Sequence, residues 1–174
     1  INTFLIYIAI YSIHIININL KSKLRKKIGL AFLSLYLIFI IFKMIVYHPY
    51  QNLYFNIFFN KSAHQKFEVD YWGLAGKKSL EDILFMEKDK NIIKVGVASY
   101  LPLERSIKLL DKKDRKRIKV IGQEFQSADY LYTNFISEVD KNVNDKYKVP
   151  SNFTSIKKFS LDNVLVYEIF KKNN

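Results

Sequence analysis

Two short clusters of aromatic, amide and charged side chains are the parts of this chain that could bind a polar ligand. The first is HPYQNLYFN at residues 48–56, and the second is DYWGL at residues 70–74. Phenol and amide groups can hydrogen-bond a sugar or a lipid phosphate, and a histidine adds a proton-dependent positive charge. The candidate substrate-binding or junction residues are His48, Tyr50, Gln51, Tyr54, Asn56, Asp70, Tyr71 and Trp72.

The same residues have a structural interpretation, which the sequence leaves open. Tyr50 and Tyr54 can belong to an aromatic belt where a helix leaves a membrane, and Pro49 can end that helix. Asp70 and Trp72 can form a buried polar anchor that fixes the following domain. Both packing and binding therefore explain the residue types in the two clusters.

The rest of the chain offers no recognisable catalytic or metal-binding motif. Val95-Gly96-Val97 has a single glycine and lacks the spacing of a phosphate-binding loop, and no serine stands in a nucleophile elbow. The chain has no cysteine, and no pair of histidines has metal-ligand spacing. We therefore assign no catalytic residue and no metal ligand, and we expect this segment to hold no cofactor and to be inactive by itself.

Two apolar segments precede the first cluster and must position it. Residues 28–47 contain one charge, Lys43, and residues 1–20 contain none. Since about 20 apolar residues cross a bilayer, the sequence predicts two transmembrane helices in residues 1–47, joined by a basic connector at 21–27. Short connectors rich in Lys and Arg stay in the cytoplasm. Residues 48–174 are therefore predicted to be extracytoplasmic, in the periplasm or outside the cell if the chain is integral to a bacterial inner (plasma) membrane.

The charge distribution argues against nucleic-acid binding. The net charge is +12, with 28 Lys+Arg against 16 Asp+Glu, and every acidic residue lies after His48. The lysines of the outer part are dispersed rather than gathered in a basic patch, so nucleic acid is not an expected partner. The run KKDRKR at residues 112–117 could touch an anionic lipid or polymer, but such runs are usually solvated turns.

After a membrane-exit junction at residues 48–74, residues 75–174 predict a small α/β domain. A helix follows Gly73, a β-branched strand covers residues 92–99, and a second helix begins near Pro102. Further strands are predicted at 118–121 and within 128–135, and Asp162-Asn163 forms the turn of a terminal hairpin. The expected fold is a small mixed sheet with a terminal β-hairpin, preceded by two transmembrane helices.

The order of these motifs resembles a known family. HPYQ followed by YFN at a membrane exit, and then DYWGL before a helix, is similar to the C-terminal region of bacterial polytopic glycosyltransferases of the protein-mannosyltransferase-like superfamily. These are GT-C enzymes, also called phospholipid-carrier-dependent glycosyltransferases. The resemblance covers residues 48–74, with a looser match in the strand-rich tail. The IFFNKSAHQKF stretch between the motifs departs from the family, whose members often carry glycines there.

The resemblance implies that this sequence is the C-terminal part of a longer membrane enzyme. Such an enzyme transfers a sugar from a polyprenyl-phosphate donor on the extracytoplasmic face. Its catalytic carboxylates, and any divalent metal, lie in the first outer loop near the N-terminus, outside the sequence at hand. The implied partners are membrane lipid, the polyprenyl-phosphate sugar donor and the N-terminal transmembrane part of the same chain.

A second function from a different class also fits the sequence. Two membrane helices followed by one outer domain could form a non-enzymatic, membrane-anchored binding module. The two hypotheses differ in what precedes Ile1, because only the enzyme requires further membrane spans and an acidic pair upstream.

Overall fold

The computed structural model describes residues 7, 10–15, 22–51, 67–138 and 141–173. They belong to two compact units, Ile1–His48 and Pro49–Asn174. The described part of the first unit is helical, and the second unit is built around a β-sheet.

Among the described residues of the first unit, one helix, α1 (Lys23–Val46), is long and apolar enough to cross a membrane. Its 24 residues extend about 36 Å, compared with a hydrocarbon core about 30 Å thick. None of its residues is buried within the protein. Residues 7 and 10–15 are also helical, but most of the first apolar segment lies outside the described residues. The second transmembrane helix therefore stays a prediction.

The second unit is a small mixed α/β domain, which confirms the fold predicted for the outer part of the chain. Its elements are helix α2 (Ala75–Met86), strand β1 (Ile93–Val97), short helices α3 (Glu104–Ile107) and α4 (Lys112–Arg115), strands β2 (Ile118–Val120) and β3 (Tyr130–Thr133), and strands β4 (Phe153–Leu161) and β5 (Val164–Lys172). Two 3₁₀ turns, Phe125–Ser127 and Lys141–Tyr147, lie on either side of β3.

The five strands form one sheet in the order β2-β1-β3-β5-β4. Strand β1 is parallel to both neighbours, with Val95 opposite Val120 on one side and Tyr130 on the other. Strand β5 is antiparallel to β3 and β4. The chain thus leaves β1 to form β2 on one side and then returns to form β3 on the other side.

Apolar clusters cover both faces of the sheet, because successive strand residues point to opposite faces. The larger cluster joins α2 and α3 to the odd-numbered residues of β1, and the smaller one contains Phe125, Leu131 and Phe153. Gly96 belongs to the crowded second face, where an added Cβ would lie 2.5 Å from Leu131 Cδ2. The glycine in β1 is therefore required by packing.

The terminal hairpin forms as its turn sequence predicts. Asp162 and Asn163 have φ angles of 43° and 69°, the left-handed values that a two-residue hairpin turn requires. The helix predicted after Pro102 is shorter than expected: α3 ends at Ile107, and an extended backbone at Asp111 precedes α4. Leu103 and Leu110 are nevertheless buried.

Candidate functional site

The structure separates the predicted site residues into a buried pair and an exposed set. Tyr50 and Asp70 are buried within the second unit. The exposed residues are His48, Gln51, Tyr71 and Trp72. Tyr54 and Asn56 lie outside the described residues. The two clusters therefore combine positions that support the domain with positions that face solvent.

Tyr50 belongs to the core of the domain. Its ring packs against Phe159 with ring centroids 5.6 Å apart, and it is part of the larger apolar cluster. Burial, together with the negative charges of Asp70 and Asp82, raises the pKa of Tyr50 to about 12. A phenol in this environment stays protonated and serves packing, which favours the structural interpretation for this residue.

Asp70 joins the start of α2 to the end of β3. Its two carboxylate oxygens each lie 3.3 Å from the backbone N–H of Ala75, the first residue of α2. The side-chain amide of Asn134 donates to Asp70 Oδ2 at 3.3 Å, and the Tyr132 hydroxyl lies 3.5 Å from the same oxygen. Because helix N-termini leave backbone N–H groups unpaired, this carboxylate also satisfies a donor of α2.

Burial raises the pKa of Asp70 above its ordinary value, since desolvation disfavours the charged form. Hydrogen bonds from Asn134, Ala75, Leu74 and Tyr132 act in the opposite direction but do not reverse the shift. No lysine or arginine of the described residues forms an ion pair with Asp70. Among the described residues, the carboxylate is therefore held by neutral donors.

A tight turn holds the second motif. The Gly73 N–H donates to the Asp70 carbonyl oxygen at 2.9 Å, and Gly73 has a φ of 65°, a conformation that favours glycine. A Cβ added to Gly73 would lie 3.9 Å from Leu101 Cδ1, so the turn packs against the segment that follows β1. Asp70 and Gly73 thus fix the two ends of the turn.

Tyr71 and Trp72, between those fixed ends, project outward. Their rings meet edge to face at 5.2 Å with an interplanar angle of 85°. The exposed fractions are 55% for Tyr71 and 74% for Trp72. The prediction that Trp72 forms a buried anchor together with Asp70 is wrong for the tryptophan. The backbone of the turn and the Asp70 carboxylate do the anchoring, which leaves the indole ring without a packing role in the core.

This turn lies at one edge of the sheet, where the chain leaves the parallel strands β1 and β3. We call this region, residues 70–73, 98–101 and 134–136, the carboxyl edge. Asn134, which bonds to Asp70, directly follows β3, and Leu101 follows β1 by four residues. The Tyr100 N–H donates to the Ile136 carbonyl oxygen at 2.8 Å, so the two strand ends stay side by side.

The strand order gives this edge a known significance. In open α/β sheets, ligands bind outside the carboxyl ends of the strands at the point where successive connections lead in opposite directions. Here that point lies between β1 and β3, since β2 and β3 flank β1 on opposite sides. The DYWG motif is therefore placed at the position where such a sheet would carry a ligand.

Sequence reasoning missed a second buried carboxylate, Asp82 in α2. The Tyr167 hydroxyl donates to its Oδ2, and the ammonium groups of Lys157 and Lys78 lie 3.0 and 3.2 Å from Oδ1. Burial alone would raise the pKa of Asp82, but these three donors together lower it below its ordinary value. Only the Lys78–Asp82 spacing, one helical turn, could have been noticed from the sequence.

Two arginines from the charged run, Arg115 and Arg117, form hydrogen bonds with backbone carbonyl groups of the domain. The Arg117 guanidinium donates to the carbonyl oxygens of Glu87, Lys88 and Lys90 beyond the end of α2. Arg115 donates to the Leu110 carbonyl at 2.7 Å. The arginines of the run thus bind backbone carbonyls, which are unpaired after a helix end. This use gives the two arginines a structural role.

Asp129, directly before β3, also has structural partners. Its carboxylate accepts the Lys94 backbone N–H at 2.8 Å and pairs with Lys90 at 2.5 Å. Within the described ranges, no three His, Cys, Asp or Glu side chains gather as metal ligands. The carboxyl edge is thus the one candidate site that the described residues and the sequence motifs both indicate.

Comparison with protein-family models, curated proteins and solved structures finds no match for this chain. The resemblance to membrane glycosyltransferases therefore depends on the two motifs and their order. It stays a prediction.

Proposed function

We propose that this chain is the C-terminal part of an integral-membrane glycosyltransferase that uses a polyprenyl-phosphate sugar donor on the extracytoplasmic face. In this proposal α1 is the last membrane span and the α/β domain lies outside the cytoplasm. The catalytic carboxylates, and any divalent metal, belong to a part of the enzyme upstream of Ile1. The domain contributes a folded support and a binding surface.

The observation that carries the proposal is that the two motifs come together in one fold. Tyr50 of the first motif and Asp70 of the second are 20 residues apart in sequence. Both are buried, and the charge of Asp70 contributes to the raised pKa of Tyr50. Motifs that are merely frequent by composition have no reason to converge, whereas parts of one family feature do.

A second observation concerns how closely the domain follows the apolar helix. Helix α1 ends at Val46, and Tyr50, four residues later, already belongs to the core of the domain. If α1 crosses a membrane, so short a connection requires the domain to fold at the membrane surface. That location suits an enzyme whose donor is a membrane lipid.

The decisive experiment is to read the DNA upstream of the codon for Ile1. We expect a continuous reading frame that encodes several further apolar spans and an acidic pair in the first outer loop. A start codon directly before Ile1 would overturn the proposal. A reporter fused after Asn174 tests orientation separately, because it should be active only outside the cytoplasm.

Two substitutions test the role of the domain in the complete enzyme. Asp70→Ala should lower accumulation of the protein, because it removes the acceptor that joins α2 to β3. Trp72→Ala should leave accumulation unchanged, since the ring is exposed, and should lower sugar transfer. Normal transfer by the Trp72→Ala enzyme would show that the exposed part of the motif is not used in catalysis or substrate binding.

The alternative is a membrane-anchored binding module without enzymatic activity. Its support is that Pro49–Asn174 forms a compact unit with apolar clusters on both faces of its sheet. This alternative predicts a nearby start codon and a defined ligand or protein partner, so the upstream DNA distinguishes it from the enzyme.

A further inference from the structure

Most of the positive charge of the first unit is concentrated at the start of α1. Lys23, Arg25, Lys26 and Lys27 are all exposed. Residues three and four positions apart lie on the same side of a helix, so the three lysines share one side while Arg25 points away from them. We call Lys23, Lys26 and Lys27 the lysine face.

No acidic side chain of the first unit can neutralise the lysine face. Residues 1–67 contain no Asp or Glu at all, and the ion pairs among the described residues all lie in the second unit. Like charges three and four residues apart repel one another and destabilise a helix. Positive charges at this end also oppose the helix dipole, and the Ser22 side chain makes no capping hydrogen bond. An anion from outside the chain would relieve this electrostatic cost.

The lysine face lies directly beside the apolar part of α1. Ile28 follows Lys27, and residues 28–42 carry no charge. At about 1.5 Å per residue, the lysine face begins about 8 Å before Ile28. That distance is comparable to the Debye length of about 8 Å at physiological ionic strength. If α1 crosses a membrane, the three ammonium groups therefore lie in the layer that contains the lipid phosphates.

We propose that the lysine face binds the head groups of anionic phospholipids in the leaflet where α1 begins. Each ammonium group offers three hydrogen-bond donors to phosphate oxygens, and basic clusters beside a membrane span attract anionic lipid. Leu30, one helical turn beyond Lys26 and Lys27, is 64% exposed and can contact an acyl chain, which favours a lipid over a free phosphate ion. The proposal requires only that α1 crosses a membrane, so it applies to the enzyme and to the binding module alike.

The experiment measures which lipids the full chain retains in micelles of a neutral detergent. Equal amounts of phosphatidylglycerol and phosphatidylcholine are added, and native mass spectrometry counts the molecules of each that stay bound. We expect preferential retention of phosphatidylglycerol, because the choline group of the other lipid cancels the charge of its phosphate. The preference should weaken as the concentration of ammonium acetate rises, since salt screens exposed charges.

Removing the charge of the lysine face should remove the preference. A basic residue at a membrane surface contributes about fivefold to the affinity for anionic lipid, so the triple variant Lys23→Gln, Lys26→Gln and Lys27→Gln should bind phosphatidylglycerol about 50-fold more weakly or worse. Replacing the same three lysines by arginine keeps the charge, and the affinity should stay within about twofold. Both variants should keep their helical circular dichroism, because the three side chains are exposed.

The matched control removes the same charge from the second unit. Lys112, Lys113 and Lys116 are exposed and lie within one helical turn of each other at α4. The triple variant Lys112→Gln, Lys113→Gln and Lys116→Gln should retain phosphatidylglycerol as well as the unchanged chain does, because these lysines do not adjoin an apolar span.

Each outcome decides the proposal. Equal retention of the two lipids by the unchanged chain overturns it. Equal losses in the two glutamine variants also overturn it, because they would show a response to net charge alone. Displacement of phosphatidylglycerol by inorganic phosphate at constant ionic strength overturns it as well and assigns the lysines to a free anion. The measurement needs no upstream sequence, so its result is independent of whether the upstream DNA supports the glycosyltransferase.

Discussion

Two aspartates near the start and middle of α2 are buried to a similar degree but have opposite surroundings. Asp70 is 1% exposed and Asp82 is 6% exposed. Asp70 accepts hydrogen bonds from neutral groups, whereas Asp82 is held by two lysines and a tyrosine hydroxyl. The pKa of Asp70 is raised and that of Asp82 is lowered.

The comparison shows what decides the protonation of a buried carboxylate in this domain. Neutral donors offset only part of the desolvation at Asp70, while cations reverse it at Asp82. The side chains of Lys78 and Lys157 are partly exposed, so Asp82 is the buried member of an ion cluster at the protein surface. Asp70 lies at the carboxyl edge, and no described lysine or arginine pairs with it, so a charge there is costly.

The largest expected effect comes from removing the carboxylate at the carboxyl edge. Asp70→Ala leaves the donors of Asn134, Tyr132 and Ala75 unpaired, and it should lower the free energy of unfolding by about 3 kcal/mol. Asp70→Asn keeps an oxygen acceptor and removes the charge, so its cost should be about 1 kcal/mol. Urea unfolding of the full chain in detergent micelles, followed by circular dichroism, measures both.

Equal losses for Asp70→Ala and Asp70→Asn would contradict the view that the hydrogen-bond acceptor, rather than the charge, is what the fold requires. A gain in stability for Asp70→Asn would strengthen that view, because it would show that the charge itself is unfavourable in this position.

The second-largest expected effect is a difference in stability cost between the two tyrosines that contact the aspartates. The Tyr167 hydroxyl donates a hydrogen bond to Asp82 Oδ2, whereas the Tyr132 hydroxyl lies 3.5 Å from Asp70 Oδ2, at the limit of a hydrogen bond. Tyr167→Phe should therefore cost about 2 kcal/mol and Tyr132→Phe about 0.5 kcal/mol in the free energy of unfolding. The same unfolding measurement applies, and the opposite ranking would contradict the assigned partners.

The contrast between the aspartates also shows which parts of the structure could be predicted from the sequence. The strands, the hairpin turn at Asp162 and Asn163 and the helix after Gly73 follow from local patterns of apolar residues and turn-forming residues. These patterns depend on neighbours in the chain, which a sequence displays directly. The α/β class could therefore be predicted without knowledge of any long-range contact.

The candidate site could be predicted only in part, for the opposite reason. The motif DYWG marked the right segment, but which of its side chains is buried depends on Asn134, more than 60 residues away. The Asp82 cluster likewise joins α2 to Tyr167 and Lys157 across the sheet. Composition and spacing carry no record of such pairings, so the sequence left open whether Trp72 is buried and did not reveal the partners of Asp82.

A smaller effect tests the cations around Asp82. Lys157→Ala removes an ion pair between a partly exposed ammonium group and a buried carboxylate, so it should cost about 1 kcal/mol. The matched control is Lys77→Ala, which removes the pair of Lys77 with Glu81, both half exposed, and should cost about 0.3 kcal/mol. If both substitutions cost the same, the burial of Asp82 would not strengthen its ion pairs.

The smallest effect is expected in the pH dependence of stability, because the raised pKa of Asp70 and the lowered pKa of Asp82 change the free energy of unfolding in opposite directions. Asp70 has a folded-state pKa above the ordinary 3.8. Between pH 3.8 and the folded-state pKa, Asp70 loses its proton in the unfolded chain but keeps it in the folded chain. The free energy of unfolding therefore falls as pH rises through that window. Asp82 has a folded-state pKa below 3.8, so its contribution is present above that pH and is lost as pH falls through the lower pKa.

Unfolding the full chain, Asp70→Asn and Asp82→Asn over a pH series separates these contributions. The stability of the unchanged chain relative to Asp70→Asn should decrease as pH rises above 3.8, and relative to Asp82→Asn it should decrease as pH falls below 3.8. If both stability differences changed in the same direction with pH, the lysines beside Asp82 would not be the reason that the two carboxylates differ in pKa.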